Sequence, residues 1–91
     1  MTEDEIEEEF ADWLKSEGHD SERLATKHTR GFPDLTVWLS NGKTLYVEMK
    51  RPGGHLSIHQ KRWMRRLRES RQPWAACWSL ESAQAFVRSY L

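Results

Sequence analysis

Asp34, Glu48 and Lys50 are the residues of this 91-residue chain whose types and spacing could do chemistry. Asp34 ends the run Gly31-Phe32-Pro33-Asp34 at the mouth of a predicted strand. Glu48-Met49-Lys50 follows fourteen residues later, inside the next predicted strand. Side chains alternate across a strand, so Glu48 and Lys50 point to one face. Two carboxylates and one ammonium on a single sheet face suit a hydrolytic Mg²⁺ site. The carboxylates offer hard oxygen ligands, and the lysine can orient a water or neutralise developing charge. A positive Lys50 also favours the ionised form of neighbouring acids. The chemistry indicated is phosphodiester hydrolysis.

The elements that must position these groups can be read from the residues around them. Thr2-Glu3-Asp4-Glu5 is a capping box with acids in its first turn, and Ile6, Phe10, Trp13 and Leu14 follow at helical spacing. Gly18 is a suitable stop, so a helix is predicted over about 3–17. A short strand is assigned to 23–28, and clear strands to Leu35–Leu39 and Leu45–Lys50. Pro52-Gly53-Gly54 ends the latter. A second capping box, Ser57-Ile58-His59-Gln60, opens a helix to about Ser70, with Gln60, Trp63, Met64 and Leu67 inward. Trp74–Ser79 reads as a strand, and Ser79 caps a last helix to about Tyr90, with Leu80, Ala83, Phe86 and Val87 inward. The predicted fold class is α/β, a small central mixed sheet flanked by helices, formed by a single domain over residues 1–91.

Hairpin register is the sharpest test of the proposed site. A two-residue Asn41-Gly42 turn would set Asp34 opposite Met49, on the wrong face for Glu48. A three-residue loop, Ser40-Asn41-Gly42 with Gly42 in the left-handed region, sets Asp34 opposite Glu48. A shared metal therefore requires the three-residue loop or another offset of even parity.

Composition narrows the partners. The net charge of zero conceals a segregation: residues 1–22 hold ten acids and one base, and residues 23–91 hold thirteen bases and four acids. The bases are densest over 50–71, where Lys50, Arg51, Lys61, Arg62, Arg65, Arg66, Arg68 and Arg71 face only Glu69. Such asymmetry favours a polyanionic partner, nucleic acid above all. Lys27 and Arg30, just before the active-site turn, join Arg51, Lys61, Arg62, Arg65, Arg66 and Arg68 as candidate phosphate contacts. The single Cys77 excludes a disulfide framework and a cysteine-based zinc site, and is expected to be a buried, inert thiol. His19, His28, His55 and His59 match no zinc spacing and are expected to be surface or phosphate-contact residues. Trp38, Trp63, Trp74 and Trp78 are expected in the core or an interface. No apolar run approaches the roughly twenty residues that cross a bilayer. The acidic N-terminus is no signal peptide, so a cytoplasmic location is expected.

Gly31-x-Pro33-Asp34, Glu48-x-Lys50, Pro52-Gly53-Gly54, Leu56-Ser57 and Gln60, in this order and spacing, resemble the VRR-NUC branch of the PD-(D/E)xK nucleases. The acidic opening helix with Ile6-Glu7 belongs to the same pattern, so the resemblance spans about residues 3–88. It implies a restriction-endonuclease-like fold and divalent-metal-dependent cleavage of DNA, with Mg²⁺ as the cofactor and Mn²⁺ able to substitute. Asp34 and Glu48 would be metal ligands, with the Met49 carbonyl as a third, and Lys50 would hold or activate the attacking water. Glu7 would complete the catalytic group, Glu3 lying one turn earlier on the same face. Gln60 would join the site, although its position also suits the capping box with Ser57. Short stand-alone members resemble homodimeric, phage-type nucleases akin to Holliday junction resolvases, acting in the host-cell cytoplasm. Branched DNA is therefore the expected substrate. A non-catalytic DNA-binding module on the same fold, or a small DNA-mimicking interaction protein, is the alternative.

Overall fold

The computed structural model describes residues 1–24 and 28–91. Helix α1 (Glu3–Ser16) begins at Thr2, whose hydroxyl accepts from the Glu5 N–H at 3.2 Å while the Glu5 carboxylate accepts from the Thr2 N–H. This satisfies donors that the first turn leaves without intrahelical partners. Ile6, Phe10 and Leu14 bury the inward stripe. Gly18, at φ +85°, lets the His19 N–H return to the Leu14 carbonyl at 2.8 Å and end the helix.

Strands β1 (Asp20–Glu22), β2 (Leu35–Trp38), β3 (Thr44–Met49) and β4 (Trp74–Cys77) form one mixed sheet in the order β1-β2-β3-β4. β1, β2 and β3 are antiparallel neighbours. β4 runs parallel to β3, and α2 (Ile58–Glu69) makes the crossover between them. α3 (Leu80–Arg88) follows β4. This is the α/β class predicted, with the predicted order of elements.

Alternation along the strands separates two faces. Leu35, Val37, Leu45, Val47 and Met49 join Phe10 and Leu14 of α1 and Ala83 and Val87 of α3 in one core. Each of the larger side chains contributes about 1.5–3 kcal/mol by leaving water. Tyr46, Glu48 and Lys50 project from the opposite face, the α2 side, where the Phe32 ring meets Tyr46 and Trp63 edge-on at 5.8 and 4.9 Å. α2 covers less than its apolar stripe predicts. Only Leu67 is fully buried, with Gln60, Trp63 and Met64 at half depth.

The hairpin takes the three-residue loop. Leu39 and Lys43 close it through the Leu39 N–H to the Lys43 carbonyl at 2.9 Å, and Gly42 sits at φ +89°. Leu35 pairs with Val47, so Asp34 falls opposite Glu48.

Three expectations are corrected. The first strand lies at Asp20–Glu22; Arg23, Leu24 and His28 are in no strand, and the rest of the expected 23–28 strand lies outside the described residues. It is an edge strand held by backbone pairing with Thr36–Trp38, so its polar residues give no apolar alternation to read. His19 is buried rather than superficial, and its Nδ1 accepts from the Ser40 N–H at 3.0 Å, tying the hairpin loop to the end of α1. Trp38 and Trp78 are exposed, while Trp63 and Trp74 are half-buried. Cys77 is buried as expected, and burial pushes its thiol up to about 11. No helix among the described residues is long and apolar enough to cross a membrane.

Candidate active site

Two strand ends and one loop bring the site together. Asp34 leaves the Gly31–Asp34 turn beside β3, and its Oδ2 accepts from the Met49 N–H at 3.1 Å. That bond fixes the carboxylate against the strand that carries Glu48. Glu48, 2% exposed, lies across the register from Asp34, close enough for the two carboxyls to interact. Lys50 lies on the same face, its Nζ 4.0 Å from Glu48 Oε2. The Met49 side chain is wholly buried in the core, which leaves only its backbone to serve the site.

Electrostatics at this pair differ from the sequence expectation. Burial, foremost, and then the hydrogen bond and charge of Asp34 push the Glu48 carboxyl up to about 9, and the Glu3 charge adds to the rise. Lys50 works in the opposite direction and is outweighed. A buried carboxyl set against a second one favours its protonated form unless a cation lies beside it. Such a donor set fits a hard divalent cation. Mg²⁺ is commonly held by one or two carboxylates while keeping several of its waters. Among the described residues, no group of three or more His, Cys, Asp or Glu side chains is arranged to hold a metal.

Glu7 explains part of that count. It is buried in α1, yet Arg23 claims it, with NH2 at 2.6 Å and Nε at 2.9 Å from Oε1. Burial raises the Glu7 pKa, the Arg23 hydrogen bond and charge lower it, and the nearby Asp34 charge raises it again. Glu7 therefore stands within electrostatic reach of Asp34, and Glu3 within reach of Glu48. Arg23, which also reaches Asp4 at 3.7 Å, was not among the residues singled out from sequence. It stands alone in a stretch without periodicity, and only the fold shows that it lies over α1.

The two loops flanking the strand ends are each tied by an indole. Trp63 Nε1 donates to the Arg30 carbonyl at 3.0 Å, and Trp78 Nε1 donates to the Gly54 carbonyl at 2.7 Å. Gly31, at φ +85°, packs so closely on the first turn of α2 that an added Cβ would lie 2.4 Å from the His59 carbonyl carbon. No other residue type fits there without moving the loop or the helix. Gln60 is thereby carried to the edge of the site, but its Oε1 accepts from the Ser57 N–H at 2.8 Å. Its side chain serves the capping box rather than the carboxylate pair.

The basic residues fall into an exposed band. Lys61, Arg62, Arg65, Arg66 and Arg68 are exposed along α2, and Arg66 also lies over the Trp63 ring at 4.2 Å. Arg30 is exposed beside the Gly31 turn, and Arg51 follows β3 and borders a cleft with Thr2, Glu3 and Asp4. Lys27 lies outside the described residues.

Comparisons with known proteins agree with this architecture. A solved structure titled "VRR_NUC domain" superposes with a TM-score of 0.87 at 22% identity, covering 100% of both chains. At that identity the likeness shows the fold. No match is found among curated proteins. The model of the VRR-NUC domain family matches residues 1–80, most of the chain and all of the carboxylate, lysine and α2 elements just described. The chain belongs to the VRR-NUC nuclease family.

Proposed function

We propose that this protein is a Mg²⁺-dependent endonuclease that hydrolyses phosphodiester bonds in branched DNA, with Mn²⁺ able to substitute. The observation that carries the proposal is the buried Glu48 carboxyl set opposite Asp34 with the Lys50 ammonium beside it. Asp34 and Glu48, with the Met49 carbonyl, would hold the metal. When bound, it supplies Lewis-acid polarisation of the scissile phosphate and lowers the pKa of a coordinated water.

The remaining work belongs to the chain's own groups. The bond from the Met49 N–H holds the Asp34 carboxylate in place before any ligand arrives, so no rotamer must be frozen at the moment of reaction. Lys50, half-buried and 4.0 Å from Glu48, places a positive charge where a water or phosphate oxygen would gain negative charge. The Arg23 guanidinium holds a third carboxylate, Glu7, by an ion pair and works against the burial that raises its pKa. Exposed cations of α2, with Arg30 and Arg51, supply the contacts to phosphates that position a nucleic acid without reading its sequence. A two-fold pair of chains would present two such sites to a symmetric four-way junction, where two strands must be cut.

The test incubates the protein with a labelled four-way junction, a flap and a linear duplex, in Mg²⁺, Mn²⁺ or EDTA. Asp34→Ala and Lys50→Ala run beside it. Paired cuts in the junction, lost in EDTA and in both variants, are expected. Binding without cleavage under every metal would replace the enzyme by a DNA-binding module on this fold. Cleavage of all three substrates at equal rates would remove the branched-DNA preference.

A further inference from the structure

The far end of α2 carries a second feature that the catalytic site leaves unused. A cleft of about 350 Å³ opens there, lined by Met64, Arg68, Arg71, Gln72, Trp74 and Tyr90. That volume lies within the range of small-ligand sites. Trp74 and Tyr90 are half-buried, so their rings are partly presented to the opening. Arg68 and Arg71 are exposed, and no carboxylate among the described residues forms an ion pair with either.

Arg71 is held there against its backbone preference. It is the one non-glycine residue at positive φ among those described, at +58°. The turn is the one that ends many helices: the Gln72 N–H reaches the Leu67 carbonyl at 2.8 Å and the Arg71 N–H reaches Arg68 at 3.0 Å. Glycine usually takes that position. An arginine there accepts local strain and sets a guanidinium at the mouth of an aromatic cleft. A guanidinium beside partly open aromatic rings suits a phosphate with an unstacked base.

The cleft is also in line with the site. The first turn of α2 abuts Gly31, next to Asp34, and the helix runs twelve residues to the cleft. That is about 18 Å, at most about five nucleotides, the count for a stacked strand at 3.4 Å each. Lys61, Arg62, Arg65 and Arg66 lie exposed along the way. We propose that this cleft is a second nucleic-acid subsite, seating one unstacked base and its phosphate from a single-stranded segment that leaves the catalytic site along α2. The proposal deepens the nuclease reading and rests on it.

Arg71→Gly separates the role from folding, because glycine relieves the positive φ while removing the cation. Binding of labelled oligothymidylate and of a linear duplex is measured by fluorescence anisotropy in EDTA across a salt series, for wild type, Arg71→Gly and Trp74→Leu. Melting followed by circular dichroism checks that the variants fold. Both variants are expected to bind oligothymidylate at least fivefold more weakly and the duplex less than twofold more weakly. For Arg71→Gly the salt slope on the single strand falls by about 0.7. For wild type, affinity for a duplex with a single-stranded tail should step up by the time the tail reaches about five nucleotides, enough to span α2. Unchanged single-strand affinity in a folded Arg71→Gly, or equal losses on both DNAs, would overturn the subsite while leaving the nuclease reading intact. Thymidine monophosphate that competes as well as the strand would assign the cleft to free nucleotide and overturn the proposal. A wild type that binds no DNA would overturn both readings.

Discussion

Glu48→Gln should make the metal-free protein more stable while removing its activity. Burial against Asp34 pushes the Glu48 carboxyl up to about 9 in the folded chain, whereas the unfolded carboxyl titrates at its ordinary value of 4.5. The sign follows directly. Between those values the folded state holds a proton that the unfolded state has released, so this group's contribution is most favourable below 4.5 and is lost as pH rises through 9. At pH 7 the unfolded carboxyl lies about 2.5 units past its midpoint, and each unit is worth about 1.36 kcal/mol. The resulting linkage costs about 3 kcal/mol, a large share of the stability of a small domain. A glutamine keeps the volume and offers Asp34 an amide N–H donor without the charge. Reorganisation around the amide takes back part of the gain, leaving an expected stabilisation of about 1–3 kcal/mol at pH 7. Urea unfolding in EDTA at several pH values between 5 and 8 measures this. The wild type should lose stability across the series, and Glu48→Gln should lose much less. Added Mg²⁺ should stabilise the wild type, increasingly so at higher pH, and leave the variant nearly unmoved. A Glu48→Gln protein less stable than wild type at pH 8, with a wild type indifferent to pH, would refute the argument that the two carboxylates repel each other in the absence of a cation.

Gly31→Ala should cost more than about 2 kcal/mol, from positive φ combined with the close approach of His59, and lower Tm by about 10 °C in a thermal melt. Gln60→Ala should lose about 1 kcal/mol of stability as a broken capping box, whereas Gln60→Glu, which restores the acceptor, should recover it. A loss of kcat in both variants at unchanged stability would instead return Gln60 to the site. Arg23→Ala strips a buried carboxylate of its partner. Because Arg23 itself is largely exposed, the expected cost is about 1–2 kcal/mol rather than that of a fully buried pair. Glu7→Gln in the same background should abolish most of that cost in a double-mutant cycle.

Local chemistry was legible in the residues themselves. The capping boxes at Thr2 and Ser57 formed as read, because they depend only on groups three residues apart. Asp34, Glu48 and Lys50 could be gathered on one face because strand alternation is a local rule. Even the register was accessible once a shared site was required, and the three-residue loop with Gly42 at positive φ supplies it. What the sequence could not reveal were interactions made between distant segments. β1 is a strand only because Thr36–Trp38 offers it a backbone edge. His19 is buried only because the hairpin loop folds onto the end of α1. Glu7 is taken by Arg23, sixteen residues away, and Gln60 serves its own helix, choices between competing partners that spacing alone leaves open. The Glu48 carboxyl rises to about 9 for the same reason. Residue types set which charges exist, but burial and distance in the folded chain decide which of them dominates.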